Sequence, residues 1–253
     1  MSLVTTDSIV LHAFDYRETS RIVRLITREL GIVSAIARGA RRPKSKFGAA
    51  LDLFASGEAQ LQTTMGRDLH TLISFEANRS RGELAASLDR FSAAAALAEL
   101  LLRFAPEQED PALLDAAIDA LDALVVAPPG AAAPVALGGA WCLVAELGFA
   151  PSLDECVVCH GAIDPADTVT FHHRAGGAVC KTCERQAPGA RTLPPDARDA
   201  IRGWLGRHPS PPLDAPTVRA HQRLLREFLE EHLTDGGRPL HALAAWERHE
   251  VDT

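Results

Sequence analysis

The sequence lacks the segments that carry a chain into or across a membrane. It contains no helix-forming run of eighteen apolar residues, so nothing predicts a membrane span. The first residues, Met1 to Asp7, include neither a cationic stretch nor an apolar core of the kind found in secretory signals. We therefore expect a cytoplasmic protein with no membrane partner.

The sequence also lacks the common catalytic motifs. It has no Gly-x-x-x-x-Gly-Lys phosphate loop, no Gly-x-Ser-x-Gly nucleophile elbow and no His-Glu-x-x-His metal helix. These absences favour a binding protein over an enzyme. The composition is otherwise ordinary for a globular chain, with 253 residues of which 47% are hydrophobic and 23% charged. That length suggests one to two domains with a sizeable core.

Charge is divided unevenly along the chain. The net charge is −7, yet residues 1–82 contain 12 Lys and Arg against 8 Asp and Glu, whereas residues 83–253 contain 14 against 25. A basic front on an acidic body is typical of a polyanion-binding domain joined to a scaffold. The acidic body would repel nucleic acid and so confine it to one face.

A cationic stretch at residues 37–48 is the strongest functional signal in the basic front. It has five cations and no anion, and Gly39, Pro43 and Gly48 interrupt regular structure. It follows the apolar run 31–37, which predicts a strand, so we expect a loop that holds positive charge out from a β-structure. The candidate nucleic-acid contacts in this loop are Arg38, Arg41, Arg42, Lys44 and Lys46. A solvated basic loop without a ligand is the alternative.

Residues near this loop can extend the cationic track. Arg17, Arg21 and Arg24 are further candidate contacts, although on a strand each can equally pair with an acidic neighbour. Tyr16 and Phe47 are candidates for stacking on bases, with core packing as the alternative for each.

Alternating apolar patterns predict five short strands in the basic front. The alternating runs are 9–14, 22–26, 32–37, 59–62 and 69–75. No helix long enough to cover a sheet accompanies them, and closure into a barrel would remove exposed edges. We therefore expect a five-stranded barrel of the oligonucleotide-binding (OB) type over residues 1–80.

The spacing of apolar residues becomes helical from Leu84 onward. The predicted buried stripe of the first helix is Leu84, Leu88, Phe91, Ala95, Ala98 and Leu102. Further helices are predicted at about 112–126, 134–148, after Pro194 and after Pro216. We expect residues 81–253 to form an all-α domain with a small cysteine-containing module, described next, inserted at about 153–186. The fold class is therefore α+β with more than one domain.

Four of the cysteines form two Cys-x-x-Cys pairs. Twenty residues separate the pair Cys156 and Cys159 from the pair Cys180 and Cys183, which is the spacing of a four-cysteine zinc site. Each pair is expected to turn tightly and present two thiolates, with a short strand at 169–173 closing the module. Four thiolates would leave no open position for water, so we interpret the site as structural.

Three other interpretations of the cysteines are weaker. Cys156 to His160 has the pattern for covalently attached haem, but that chemistry requires export and would leave the second pair unexplained. A redox dithiol stays open, although two pairs favour a metal. One of His160, His172 and His173 could also replace a cysteine as a ligand.

The chain resembles the RecO family of bacterial recombination mediators. The resemblance rests on Asp-Tyr-Arg-Glu-Thr-Ser-Arg at 15–21, Thr-Arg-Glu-Leu-Gly at 27–31 and Ala-Arg-Gly-Ala-Arg-Arg at 37–42. The cysteine pairs and Arg238-Pro239-Leu240 also fit. The resemblance covers essentially the whole chain, and its front third is the most specific part.

This resemblance implies both a fold and a function. It implies an OB barrel, a helical body and one structural zinc ion. It further implies binding of single- and double-stranded DNA, annealing of complementary strands, and help in loading RecA recombinase. The implied protein partners are RecR and the C-terminal tail of single-stranded DNA-binding protein, and the implied location is the nucleoid. Arg223 and Arg226 are candidate contacts for such an acidic tail.

Two other function classes stay open from the residues themselves. The first is a zinc-containing enzyme that acts on RNA, which turnover without DNA would favour. The second is a protein-interaction adaptor in which the basic loop contacts an acidic protein tail.

Overall fold

A computed structural model of the chain describes residues 2–64, 66–233 and 239–249. The chain forms two compact units, Met1–Val126 and Ala127–Thr253. The barrel predicted for residues 1–80 belongs to the first unit, which continues to Val126; the predicted domain boundary after residue 80 stays a prediction. Arg238, which contributes to the family resemblance, lies outside the described residues.

The five strands of the first unit close into a barrel in the order β1-β2-β3-β5-β4. They are β1 Ser2–Tyr16, β2 Ser20–Thr27, β3 Gly31–Ala37, β4 Ser56–Thr63 and β5 Leu69–Arg79. Neighbouring strands pair antiparallel, except that β3 and β5 run parallel. The predicted five-stranded barrel is therefore confirmed.

Aliphatic side chains from every strand fill the barrel, and Phe47 joins them from the segment that follows β3. Phe47 is only 2% exposed, and its N–H donates to Ser45 Oγ at 3.2 Å. Of the two alternatives for Phe47, core packing is confirmed and stacking on bases is wrong, because the barrel core encloses its ring.

Two helices complete the first unit. They are α1 Leu88–Phe104 and α2 Pro111–Val126, and a short 3-10 helix, Gly82–Ala86, precedes α1. The predicted stripe on the first helix is confirmed at Ala98 and wrong at two positions, because Leu84 is buried but lies in the 3-10 helix and Leu88 is 62% exposed. The residues that α1 buries are Ala93, Ala94, Ala96, Leu97, Ala98, Leu100 and Leu101.

Gly31 allows β3 to begin directly against the connection between α1 and α2. Its φ is +61°, and an added Cβ would lie 2.1 Å from the carbonyl oxygen of Pro106. The N–H of Ile32 donates to that same oxygen at 3.0 Å. A side chain at position 31 would therefore break both the backbone conformation and this contact.

A partly buried ion pair connects the segment that follows β5 to α2. Arg81 Nε donates to Asp122 Oδ1 at 2.6 Å. Its Nη1 donates to the carbonyl oxygen of Phe54 and to Ser56 Oγ, each at 2.6 Å. Burial lowers the pKa of Arg81, and the hydrogen bond to Asp122 opposes that shift. The side chain of Arg81 therefore links α2 to the start of β4 within the first unit.

The second unit combines helices with a three-stranded sheet of order β7-β6-β8. The strands are β6 Val169–His172, β7 Gly177–Val179 and β8 Arg191–Leu193, and the helices are α3 Ala132–Glu146, α4 Pro195–Leu205, α5 Ala215–Leu233 and α6 His241–His249. Helix α6 was not predicted, although it buries Leu243 and Trp246. Among the described residues, no helix is both long and apolar enough to cross a membrane.

Candidate nucleic-acid interface and metal centre

The basic loop, residues 38–47, leaves the barrel at the end of β3. Gly39 has a φ of +74°, and main-chain hydrogen bonds from Arg42 N–H to Gly39 O and from Ser45 N–H to Arg42 O shape the loop at 3.1 and 2.9 Å. The five loop cations are all exposed: Arg38, Arg41, Arg42, Lys44 and Lys46. As predicted, the loop extends positive charge from the end of a strand.

Asp15, near the end of β1, forms ion pairs with two of the predicted nucleic-acid contacts, Arg21 and Arg41. Asp15 Oδ1 lies 3.1 Å from Arg21 Nε, and Asp15 Oδ2 lies 3.2 Å from Arg41 Nε. Arg41 Nη1 also donates to the carbonyl oxygen of Glu18 at 3.3 Å, and its backbone N–H donates to that of Thr19 at 3.0 Å. Arg41 therefore ties the basic loop to the turn between β1 and β2, and Asp15 partly compensates its charge.

Five of the eight predicted contacts have neither a carboxylate partner nor a side-chain hydrogen bond within the described parts of the chain. These unpaired cations are Arg17, Arg38, Arg42, Lys44 and Lys46. Arg17 occupies the β1–β2 turn with a φ of +53°, and its Cζ lies 5.3 Å from the ring centroid of Tyr16. The charges of the unpaired cations are therefore available to an external anion.

Arg24 faces α1. Its Nη2 donates to the carbonyl oxygen of Leu102 at 3.2 Å. Burial lowers the pKa of Arg24, and the charge of Glu107 opposes that shift. Arg24 therefore has an internal partner, although this is a main-chain carbonyl and not the acidic neighbour of the predicted alternative, and the proposed contact set does not include it.

The four cysteines of the two pairs converge in the second unit. Their Sγ atoms all lie within 4.8 Å of one another, and those of Cys159 and Cys180 are 3.8 Å apart. A tetrahedral ion held by four thiolates at about 2.3 Å has ligand–ligand distances of about 3.8 Å. The cluster of Cys156, Cys159, Cys180 and Cys183 can therefore hold one metal ion.

Main-chain hydrogen bonds to Cys156 favour the thiolate form that binds a cation. The N–H groups of Cys180 and Val158 donate to Cys156 Sγ at 3.3 and 3.5 Å. Burial opposes ionisation of Cys156, but these N–H groups and that of Cys159 lower its pKa to about 6. Burial and hydrogen bonds to the other thiols raise the pKa of Cys183 to about 12. A bound cation would favour the ionised form of all four thiols.

Two of the three histidines proposed as substitute ligands have other side-chain contacts. His172 Nδ1 accepts a hydrogen bond from the N–H of Ala175 at 3.0 Å, and His173 Nε2 lies 3.2 Å from Glu227 Oε2. The N–H of His160 donates to the carbonyl oxygen of Cys156 at 2.8 Å, which closes the turn of the first pair. The donors gathered in the cluster are the four sulfur atoms.

Sequence reasoning missed the residue that fastens the metal module to α5. Glu227 accepts hydrogen bonds from Arg191 of β8 through both carboxylate oxygens, and it contacts His173 at the end of β6. Burial raises the pKa of Glu227, but the hydrogen bonds and charge of Arg191 outweigh burial and the pKa falls below its ordinary value. In the sequence, Glu227 is indistinguishable from the solvated charges around it.

The arginines predicted to hold an acidic tail already have acidic partners. Arg223 Nε and Arg226 Nε lie 3.4 and 2.8 Å from the carboxylate of Glu247 in α6. Arg226 also pairs with Glu230 at 3.0 Å. Their charges are therefore largely compensated within the second unit.

Comparison with known proteins assigns both halves of the chain to one family. The family model described as Recombination protein O N terminal matches residues 1–93, and that described as Recombination protein O C terminal matches residues 85–241. The chain belongs to the RecO family. The resemblance found in the sequence is thereby confirmed. The basic loop lies in the first RecO segment and the cysteine cluster in the second.

Proteins named DNA repair protein RecO are similar to this chain over most of their length. The protein from Anaeromyxobacter dehalogenans is 39% identical over 243 residues, which cover 92% of each chain. That from Rubrobacter xylanophilus is 33% identical over 237 residues and also covers 92% of each. That from Thermobifida fusca is 32% identical over 246 residues, covering 95% of this chain and 98% of the relative.

Proposed function

We propose that this RecO family chain is a DNA-binding recombination mediator in DNA repair, without catalytic activity of its own. It binds single- and double-stranded DNA, anneals complementary strands and, with RecR, helps to load RecA onto DNA coated by single-stranded DNA-binding protein. It acts at the nucleoid, in the cytoplasm. The observation that carries the proposal is the set of unpaired cations beside the barrel: Arg17, Arg38, Arg42, Lys44 and Lys46.

Phosphate groups are the ligand that these cations fit. A ligand that neutralises five phosphates of a single strand releases condensed counterions, so log Kobs should fall with log salt with a slope of about −3.5. Affinity should then fall roughly a hundredfold between about 50 and 200 mM salt. The acidic remainder of the chain, with 25 Asp and Glu against 14 Lys and Arg in residues 83–253, repels DNA and favours binding at the basic loop.

Strand annealing follows from neutralisation of phosphate charge. Contacts to phosphates carry no base recognition, so the bases of a bound strand stay available for pairing. Two strands that share the same basic loop repel each other less, because the loop compensates charge on both. Annealing by this route requires no nucleotide hydrolysis.

The test of this step is an annealing assay with two complementary labelled oligonucleotides, in which energy transfer between the labels reports duplex formation. The wild-type chain should accelerate annealing, and a variant with Arg38→Ala, Arg42→Ala, Lys44→Ala and Lys46→Ala should not. Arg207→Ala is the matched control, because Arg207 is an exposed arginine paired with Glu146 at 2.6 Å. Equal acceleration by the wild-type chain and the four-cation variant would refute the proposed role of the loop.

RecA loading is the second step of the proposal, and membership of the RecO family supports it. The measurement is ATP hydrolysis by RecA on single strands coated with single-stranded DNA-binding protein. The lag should shorten when this chain and RecR are both present. It should lengthen again when either is omitted or when the coating protein lacks its C-terminal tail. A lag that the chain does not change would contradict this step.

We propose zinc as the ion of the cysteine cluster. Four thiolate donors suit zinc and close its tetrahedral shell, which supports a structural role and leaves no position for a reacting water. Metal analysis of the purified chain should find one zinc ion per chain, and a variant with Cys159→Ser and Cys180→Ser should lose it. Stoichiometric iron, or a wild-type chain without metal, would contradict the assignment.

A further inference from the structure

The basic loop is attached to the rest of the first unit at two places. At its far end the ring of Phe47 packs into the barrel core. At its near end Arg41 contacts the turn between β1 and β2, which spans residues 17–19. The unpaired cations that lie between these two attachment points along the chain are Arg42, Lys44 and Lys46. The conformation of Arg41 therefore helps to decide where these charges lie.

Arg41 directs its main chain and its side chain towards the β1–β2 turn. Its main-chain N–H donates to the carbonyl oxygen of Thr19 at 3.0 Å. Its Nη1 donates to the carbonyl oxygen of Glu18 at 3.3 Å and lies 3.5 Å from that of Arg17. Its Nε lies 3.2 Å from Asp15 Oδ2. The guanidinium group is therefore occupied on the side that faces the turn.

The turn that Arg41 contacts has an unusual backbone conformation. Arg17 has a φ of +53°, in the left-handed region that residues with a side chain rarely adopt. Such a conformation persists where surrounding contacts fix it, and it occurs often at binding sites. The guanidinium carbon of Arg17 lies 5.3 Å from the ring centroid of Tyr16. Arg41 therefore connects the turn that carries one unpaired cation to the loop that carries the other four.

We propose that Arg41 is a positioning residue, which holds the turn and the basic loop in one arrangement and makes no phosphate contact while the turn holds it. This inference rests on the proposed DNA binding by the loop and adds the residue that preorganises the cations. A strand that meets cations already in place loses less affinity to the ordering of loop and side chains. Arg41 thus contributes to affinity through geometry, whereas Arg42 contributes through its charge.

The geometry of the contacts requires an arginine. A guanidinium group presents several N–H donors in a fixed planar fork, and here Nε and Nη1 reach two different acceptors, Asp15 and the carbonyl of Glu18. A lysine has the same charge on a single nitrogen and cannot span both acceptors. A phosphate contact is less demanding, because a lysine ammonium binds phosphate as a point charge. Substitution by lysine therefore distinguishes a positioning residue from a phosphate contact.

The test measures binding of a labelled single-stranded oligonucleotide, and its salt slope, for alanine and lysine variants at positions 41 and 42. Arg41→Lys should lower affinity by roughly tenfold, as should Arg41→Ala, because the loop must then be ordered on binding. The salt slope of Arg41→Lys should stay near the wild-type value of about −3.5. Arg42→Ala should instead reduce the slope by about 0.7, and Arg42→Lys should recover most of that loss.

Position 42 is the matched comparison because Arg42 is the next residue of the same loop. Like Arg41 it is exposed, and within the described parts of the chain it has no carboxylate partner. Arg207→Lys is the control for replacing an arginine of an ion pair elsewhere, since Arg207 pairs with Glu146 at 2.6 Å. This variant should bind the oligonucleotide with wild-type affinity and slope. A tenfold loss in Arg207→Lys as well would show a general effect of the substitution and contradict the proposal.

Hydrogen exchange of the free protein gives a second readout that does not involve DNA. The main-chain N–H groups of Arg42 and Ser45 donate within the loop, and that of residue 41 donates to the turn. Amides of the loop should exchange faster in Arg41→Lys than in the wild-type chain, and Arg42→Lys should not change them. Amides of β2 and β3 should exchange as in wild type, which shows that the barrel of the variant is folded.

The outcomes separate this inference from the proposed function. Absence of wild-type binding at about 50 mM salt would refute DNA binding by the loop and with it the role of Arg41. Wild-type affinity in Arg41→Lys would overturn the positioning role alone, whether or not Arg41→Ala binds more weakly. Weaker binding by Arg41→Lys without faster exchange of the loop amides would also contradict the proposal, because the loss would not come from a less ordered loop.

Discussion

Arginines of the second unit and cations of the basic loop differ in their partners. The second-unit arginines that form ion pairs with carboxylates include Arg191, Arg202, Arg207 and Arg226. The loop cations without such a pair in the described part of the chain are Arg38, Arg42, Lys44 and Lys46. A paired arginine connects parts of the fold, whereas an unpaired one is available to a ligand. The absence of a partner marks the candidate interface more clearly than the number of charges does.

Metal removal should have the largest effect on stability, and it should destabilise the second unit alone. A structural zinc site contributes about 10–16 kcal/mol of apparent binding free energy, so a strong chelator should unfold the cysteine module. All three tryptophans, Trp141, Trp204 and Trp246, lie in the second unit, so their fluorescence reports on that unit. DNA binding by the basic loop should persist after chelation. Complete loss of DNA binding would show that the two regions are not independent.

Replacing a paired and an unpaired arginine of the first unit should separate their roles: the first should change stability and the second DNA binding. Arg81→Ala leaves the carbonyl oxygen of Phe54 and Ser56 Oγ without their buried donor, which should cost about 1–3 kcal/mol of unfolding free energy for each group, although Asp122 keeps Arg79 at 2.7 Å. Arg42→Ala should change the unfolding free energy by no more than about 0.5 kcal/mol and should instead weaken DNA binding. Urea unfolding of both variants is the measurement. Similar stability losses in the two variants would contradict the distinction.

His221 in α5 should make the second unit sensitive to acid. Its side chain is buried with its ring centroid 4.9 Å from that of Trp204, and burial lowers its pKa to about 4. The unfolded state, with a pKa near 6.5, then binds the proton more readily. Stability should therefore be lost as pH falls from about 6.5 to about 4, by about 3 kcal/mol.

The measurement is the unfolding free energy of the second unit at several pH values, with tryptophan fluorescence as the probe of unfolding. His221→Gln should flatten the dependence over this window. His241→Gln should not, because His241 is exposed. An equally steep acid dependence in wild type and His221→Gln would exclude His221 as the cause.

Asp15→Asn should have the smallest effect on stability and should convert paired arginines into unpaired ones. The exposed ion pairs of Asp15 with Arg21 and Arg41 contribute at most about 1 kcal/mol. Their release should add up to two phosphate contacts and steepen the salt slope by up to about 1.4. Asp52→Asn is the control, since it makes the same charge change at an exposed position. A slope equal to that of wild type would mean that Asp15 does not restrain these arginines.

Local patterns in the sequence predicted the parts of the molecule that depend on short-range geometry. The barrel strands follow from alternation, the basic loop from Gly39 and Pro43 among cations, and the metal cluster from the two cysteine pairs. Each of these signals lies within a few residues of the feature that it predicts, or repeats at a fixed spacing.

The parts that could not be predicted depend on contacts between distant residues. Arg81 meets Asp122 across 41 positions, and Arg191 meets Glu227 across 36. Phe47 resembles an exposed aromatic residue in the sequence, because only the closed barrel encloses it. Helix α6 is only nine residues long, too short for a clear helical repeat in the sequence, and contacts such as that between Glu247 and Arg226 connect it to α5.

The central claim is that the unpaired cations of the basic loop bind DNA phosphates, and the salt dependence of binding tests it most directly. Fluorescence anisotropy of a labelled single strand should give a log–log slope of about −3.5 for the wild-type chain. The variant with Arg38→Ala, Arg42→Ala, Lys44→Ala and Lys46→Ala should give a slope of about −0.7, and Arg207→Ala the wild-type slope. A four-cation variant that binds with unchanged affinity and slope would contradict the claim, and the loop would then have to contact another partner.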